Sequence, residues 1–169
     1  TGNIDKRNDA GQKLGYGMQL GSGTYDPIIG VTYTHHESDW SWGSQISSVI
    51  RFGENDNDYR LGNEYGATAW IARNLHEKLS VSFRLDGRYM DEIHGADPDL
   101  NAMMSPANRT DLKGGTRVDA LVGVNFYQTG ETLQDHRLAA EFGVPVYQDL
   151  NGPQLKTDYR ATLAWQYSF

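Results

Sequence analysis

The sequence predicts an all-β fold: an antiparallel β-barrel of the transmembrane, outer-membrane kind, seven or eight strands of it here. Three observations predict it. The tail reads Y-R-A-T-L-A-W-Q-Y-S-F, with Tyr159, Ala161, Leu163, Trp165, Tyr167 and Phe169 on one side and Arg160, Thr162, Ala164, Gln166 and Ser168 on the other. Side chains alternate along a strand, so one face is apolar and aromatic and the other polar. The same alternation recurs in six earlier segments, separated by polar turns and Gly- and Asn-rich loops. No apolar run approaches 18 residues, which excludes a membrane-spanning helix and leaves strands as the element that could span.

Composition narrows the classes. The 169 residues suit one domain, with a net charge of −7 and a mean hydropathy of −0.63. Such polarity suits a barrel, because only alternate strand residues need be apolar and the loops are polar. A soluble lipocalin-like barrel has the same alternation turned inside out, and alternation alone leaves both open. Cysteine is absent, so disulfides and Cys-based zinc sites are excluded. No basic run suggests nucleic acid. The opening T-G-N-I-D-K-R-N-D-A-G-Q is polar and holds no signal peptide, so an exported protein of this sequence is expected to be processed or to be part of something longer.

In chain order, residues 1–23 read as a loop or partial hairpin. The first strand is expected over Tyr25–His35, with Ile29, Val31 and Tyr33 outward and Asp26 inward; Pro27 stands near its start, where a missing N–H is tolerated. After a turn at His36–Asp39, the second runs over Trp40–Phe52, with Trp40, Trp42, Ile46, Ile50 and Phe52 outward. The third, Tyr59–Arg73, turns Tyr59, Leu61, Tyr65, Ala67, Ala69 and Ile71 outward and Arg60, Glu64, Thr68 and Trp70 inward, with Asn63 breaking the pattern. The fourth, Lys78–Met90, has Leu79, Val81, Phe83, Leu85 and Tyr89 outward. A long loop, Asp91–Gly115, follows. The fifth, Thr116–Tyr127, and the sixth, His136–Tyr147, are joined by a turn near Gly130; Val144 and Val146 are expected outward on the sixth. The tail is the seventh.

Strand parity suggests a larger barrel. Phe169 is expected at the periplasmic end, which puts the Asp91–Gly115 loop outside and the His36 and His76 turns inside, as expected for long outer loops and short periplasmic turns. Seven strands then start outside and end inside. Single-chain barrels have even strand numbers, so at least one strand is expected before Thr1; the weaker option is an eighth strand within residues 11–23. An open sheet with two unpaired edges should aggregate or recruit a partner.

The inward positions are the candidate site. Arg51, Arg60, Arg84, Arg88, Arg117, Arg137 and Arg160 face in, with Asp26, Glu64, Asp86, Asp119 and Glu141. Rows of arginine in a pore favour anions. The alternative is cross-strand ion pairs filling a narrow barrel, favoured because each strand with several charges mixes signs. Outward Trp40, Trp42, Tyr65, Tyr89, Trp165, Tyr167 and Phe169 read as a membrane girdle. His35, His36, His76 and His136 read as polar turn residues, and no metal site or cofactor is assigned. G-E-N-D-N-D lacks the spacing of a calcium loop. No nucleophile motif appears, so no catalytic residue is assigned.

Two resemblances add to this. The terminal aromatic after the tail strand resembles the C-terminal signal of bacterial outer-membrane barrels, which implies insertion by the barrel assembly machinery. The segments Q-L-G-S-G-T-Y-D (19–26), W-S-W-G-S (40–44), Y-R-L-G-N (59–63) and V-P-V-Y-Q-D-L-N-G-P-Q-L (144–155) resemble a proteobacterial family of outer-membrane transporters, similar to the meta-pathway phenol-degradation protein family. The resemblance covers nearly all of the chain as the C-terminal part of such a barrel and carries over no binding residue. It implies a non-enzymatic channel in the bacterial outer membrane, surrounded by lipid and passing a small solute by passive diffusion. Rival readings are a closed structural barrel whose outer loops bind a partner and a lipid-modifying enzyme.

Overall fold

A computed structural model describes residues 2–128 and 136–167. Seven long strands form one antiparallel sheet: β1 (Ile28–Glu37), β2 (Trp40–Val49), β4 (Glu64–His76), β5 (Leu79–Met90), β7 (Gly115–Gln128), β8 (His136–Leu150) and β9 (Arg160–Tyr167), paired in that order. Two-residue strands β3 (Tyr59–Arg60) and β6 (His94–Gly95) pair apart from it. Two-residue turns at Ser38–Asp39 and Glu77–Lys78 mark one end of the sheet, the turn end; long connections gather at the other, the loop end. The turn expected near Gly130 and the terminal Phe169 lie outside the described residues. No strand forms within 11–23, so the expectation of a hidden eighth strand there is corrected.

The register keeps the two faces apart across the sheet. One apolar row runs Trp42–Ile71–Phe83–Val122–Phe142, the next Ser44–Ala69–Leu85–Ala120–Val144, and the one after it Ile46–Ala67–Gly87–Val118–Tyr147. Most of these larger side chains are exposed, among them Phe83 at 45%, although they are the apolar half of the sheet. The opposite face carries the charges. Arg160 on β9 reaches Asp86 on β5 at 2.9 Å, across β8 and β7. On a flat sheet that is three strand spacings, about 14 Å, farther than two side chains standing off the same plane reach. The sheet therefore curls toward its polar face. A soluble barrel with an apolar interior needs the opposite curl.

One irregularity on β8 holds the faces in phase. Val118 pairs with Tyr147 but Asp119 pairs with Pro145, so Val146 is an extra residue, a β-bulge. Pro145 has no N–H to give the ladder, and a bulge is where proline is tolerated inside a sheet. The extra residue puts Tyr147 opposite Val118 and Gln148 opposite Arg117, where strict alternation from Val144 would have kept Val146 on the apolar side and Tyr147 on the polar.

The third predicted strand is split. Gly62 passes so close to Asp91 that a Cβ there would lie 1.9 Å from its carbonyl oxygen. Asn63, the residue that broke the alternation, accepts from Arg51 N–H through Oδ1 at 2.9 Å, and its carbonyl accepts from Asp91 N–H at 2.9 Å. Chain before this break leaves the sheet. Tyr59, expected outward, is fully buried instead. Its ring meets Tyr16 edge-on, centroids 4.9 Å apart, in a small core with Ile93, Leu61 and Leu100. The 91–115 loop packs on the same layer: β6 pairs with β3, and Asp97 N–H donates to Tyr16 Oη at 3.0 Å.

A buried ion pair locks this loop layer. Lys13 Nζ lies 2.6 Å from Asp97 Oδ2 and 2.9 Å from Asp5 Oδ1, with the Lys13 and Asp97 side chains each 2% exposed. Burial works to lower the Lys13 pKa, but the hydrogen bonds to Asp97 and Asp5 outweigh it and leave it raised above 10.5. Burial also pushes the Tyr16 and Tyr59 hydroxyls up.

Because Lys13 binds its proton more tightly folded than unfolded, its contribution is complete below 10.5 and is lost as pH rises through the raised folded value. At neutral pH, Lys13→Met leaves Asp97 buried without its cation. Trypsin should then cut after Arg109 or Lys113 at least about tenfold faster, since ~1.4 kcal/mol of local stability is tenfold in open population and a broken buried pair costs more. Unchanged cleavage would mean that the pair does not hold the loop.

Candidate functional site

The concave face is built by the inward half of each strand's alternation. From the turn end, its rows pass Asn74, Ser80 and Asn125; then Ser41, Ala72, Ser82, Gly123 and Glu141; then Gly43, Trp70, Arg84, Leu121, Gly143 and Arg160; then Gln45, Thr68, Asp86 and Asp119; then Ser47, Gly66, Arg88, Arg117 and Gln148. Two cavities lie along it, about 500 Å³ toward the loop end and about 670 Å³ toward the turn end, and Arg84 lines both. The row of Trp70, Arg84 and Arg160 is thus the divide between them. Trp70 fits because Gly43 opposite it has no side chain: a Cβ there would lie 2.5 Å from the indole.

Two bridges span this divide. Arg84 binds Glu141 through both ends of its guanidinium, with Nε to Oε2 at 2.9 Å, crossing β7. Arg160 Nη1 reaches Asp86 at 2.9 Å and Asp119 at 3.3 Å. Leu121 lies on β7, the strand that both bridges cross, and is 1% exposed. An apolar residue at an inward position is its signal in the sequence, and the alternation reading passed over it.

The charges are arranged like opposite like. Asp86 stands directly across from Asp119, and one row on, Arg88 stands across from Arg117. Such pairs repel. Here each aspartate is compensated along its own strand, Arg88 to Asp86 and Arg117 to Asp119, both at 3.3 Å, and across the sheet by Arg160. Asp119 is 1% exposed, and its Oδ1 finds no hydrogen bond among the described residues. Elsewhere Arg51 holds Asp26 and Glu64 (2.6 Å), and Arg137 donates to Asn125 Oδ1 at 2.7 Å. Arg60 is the exception among the expected inward cations. It belongs to β3 in the loop layer, where it donates to the Arg51 carbonyl at 3.4 Å, because the break at Gly62–Asn63, just after it, separates it from β4.

The convex face carries the expected aromatics in two groups. Tyr65 and Tyr89 stack near the loop end, centroids 6.0 Å apart. Trp40, Trp42, Trp165 and Tyr167 lie near the turn end, all at least 44% exposed. Histidine joins this group: His136 stacks on Trp165 and Tyr167 and accepts from the Trp165 indole at 2.9 Å, and His35 packs by Trp42. His36 and His76 line the turn-end cavity. Tyr65 and Arg73, the residue opposite Trp40, are eight residues apart (73 − 65), about 27 Å of strand at ~3.4 Å per residue.

Comparison with known proteins adds the family. Residues 11–135 match the family model described as "Putative MetA-pathway of phenol degradation". The chain belongs to this family. The span matched to the family includes Arg84, Asp86, Arg88, Arg117 and Asp119, whereas Glu141 and Arg160, which close both bridges, lie beyond it. No curated protein and no solved structure matches the chain.

Arg160→Met should expose the opposed aspartates to one another. The expected cost is about 3–5 kcal/mol of unfolding free energy, that of removing one partner from a buried charge cluster, read by tryptophan fluorescence in urea with the protein in detergent. Asp86→Asn added to it should recover part of the loss. A loss within about 0.5 kcal/mol, as for an ordinary surface change, would remove Arg160 from the account.

Proposed function

We propose that this chain forms part of the wall of an outer-membrane β-barrel through which a small solute diffuses passively. The observation that carries the reading is the exposed apolar surface on the convex face, bounded by aromatics at both ends, opposite a concave charged face with open cavities. A strand of ~27 Å tilted by about 40° covers roughly 20 Å of height, close to the ~25 Å apolar band of such barrels. Lipid is the medium that covers an apolar convex surface. The long connections then face outside and the two-residue turns the periplasm. The edges β1 and β9 do not pair with each other among the described residues. Unpaired backbone is costly in lipid, so further strands of the same barrel close the wall.

The lumen sets selectivity by charge and width, with no chemical step. Arg84, Arg88, Arg117 and Arg160 are the residues that carry it. The family description supports a small aromatic compound as the solute. A second reading, a closed barrel that binds a partner through its outer loops, is favoured by the packed loop layer, with Met103, Met104 and Leu155 at least 74% exposed.

Planar-bilayer recording of the intact protein in a salt gradient tests the first reading. Stable conductance steps with a mild anion preference are expected. Silence from folded, inserted protein would sink the open channel and favour the loop-binding barrel.

A further inference from the structure

The four arginines proposed to set selectivity are not equivalent. Arg84 is spent on Glu141 through a two-point contact, and Arg160 on Asp86 and Asp119. Arg88 and Arg117 differ. They stand side by side on β5 and β7 and line the loop-end cavity of about 500 Å³. Arg88 is 62% exposed, and its one ion-pair contact among the described residues is at 3.3 Å. Arg117 Nε lies 3.3 Å from Asp119 without a hydrogen bond, while its Nη1 donates to Thr157 at 2.8 Å. Among the described residues, the ion pairs of Arg88, Arg117 and Arg160 run only to Asp86 and Asp119, three cations for two carboxylates. With Arg160 engaged by both carboxylates, Arg88 and Arg117 are the less committed cations.

The next row toward the loop end breaks the polar face. Val49, Met90 and Leu150 occupy inward positions there, and all three line the same cavity. Glu64, between Val49 and Met90, is turned to Arg51 at 2.6 Å, a cation it shares with Asp26. A guanidinium pair therefore sits beside an apolar ledge, with Gln148 and Thr157, bonded to each other in both directions, closing the β8 side.

We propose that Arg88 and Arg117 bind the carboxylate of a small organic monoanion whose apolar body rests on Val49, Met90 and Leu150. The planar fork of arginine matches a carboxylate. Two guanidinium groups side by side suit one carboxylate, and the ledge offers no donors to the further oxygens of a phosphate. The site deepens the channel reading, on which it rests, by naming the chemical class of its solute.

Titration calorimetry of the intact protein in detergent, with benzoate, benzamide and inorganic phosphate, tests this. Benzoate should bind, with benzamide and phosphate each weaker by about tenfold or more, since a charge-assisted contact or the ledge is missing. Arg88→Gln and Arg117→Gln should each weaken benzoate about tenfold, with Arg117→Lys recovering part and unchanged circular dichroism showing the fold intact. No benzoate heat from folded wild type overturns the site. Benzamide binding as tightly as benzoate overturns the guanidinium role, and phosphate binding as tightly overturns the organic class. A conducting protein that fails here keeps the channel reading. A silent one that binds benzoate loses the channel and keeps the site.

Discussion

Two aspartates face each other across adjacent strands, and the arrangement of the concave face follows from neutralising them. Asp86 and Asp119 are both buried, in a position where like charges repel. The compensating arginine comes from β9, three strands from Asp86, and it reaches only if the sheet curls toward its polar side. Curvature and charge pairing are thus one condition. The apolar residues become the convex surface for the same reason, and the Arg84–Glu141 bridge repeats the device one row away. Glycine serves it locally: Gly43 makes room for Trp70, and a Cβ on Gly143 would meet the Leu121 side chain at 2.5 Å.

The loop end is a separate piece of physics. A sheet whose two faces are committed to apolar surface and to charge has no conventional core between layers. Apart from Leu121 on the concave face, the buried apolar side chains among the described residues gather in the loop layer, around Tyr16, Tyr59 and Ile93. Asn55, in the stretch weighed as a calcium loop, ties this layer together, donating to the Ser22 carbonyl at 2.8 Å and accepting from Asn57 N–H at 3.0 Å. The rim is therefore shaped, and the cavity below it has fixed walls.

Much of the sheet was legible because period-two alternation has one physical cause and the long strands obey it. Every expected inward charge within a long strand lies on the polar face, and the aromatics expected outward there lie on the other. Tyr59 and Arg60 were misplaced because an extended loop has the same alternation as a strand, and only Gly62 and the out-of-pattern Asn63 marked the break. The bulge at Val146 was not legible because it shifts parity without changing composition, although Pro145 was its visible trace. Which arginine meets which carboxylate was not legible, since it depends on register and curvature. The Arg88–Arg117 pair and its apolar ledge emerge only when five strands are laid side by side.

The central claim is that the apolar face meets lipid and the charged face water. The chain has no cysteine, so single cysteines can be placed one at a time along β5 of the protein reconstituted in liposomes and given a spin label. Positions 81, 83 and 85 should be relaxed by oxygen, which partitions into lipid, and positions 80, 82 and 84 by a water-soluble nickel chelate. The reversed pattern, or equal access of the chelate to both sets, would contradict the account.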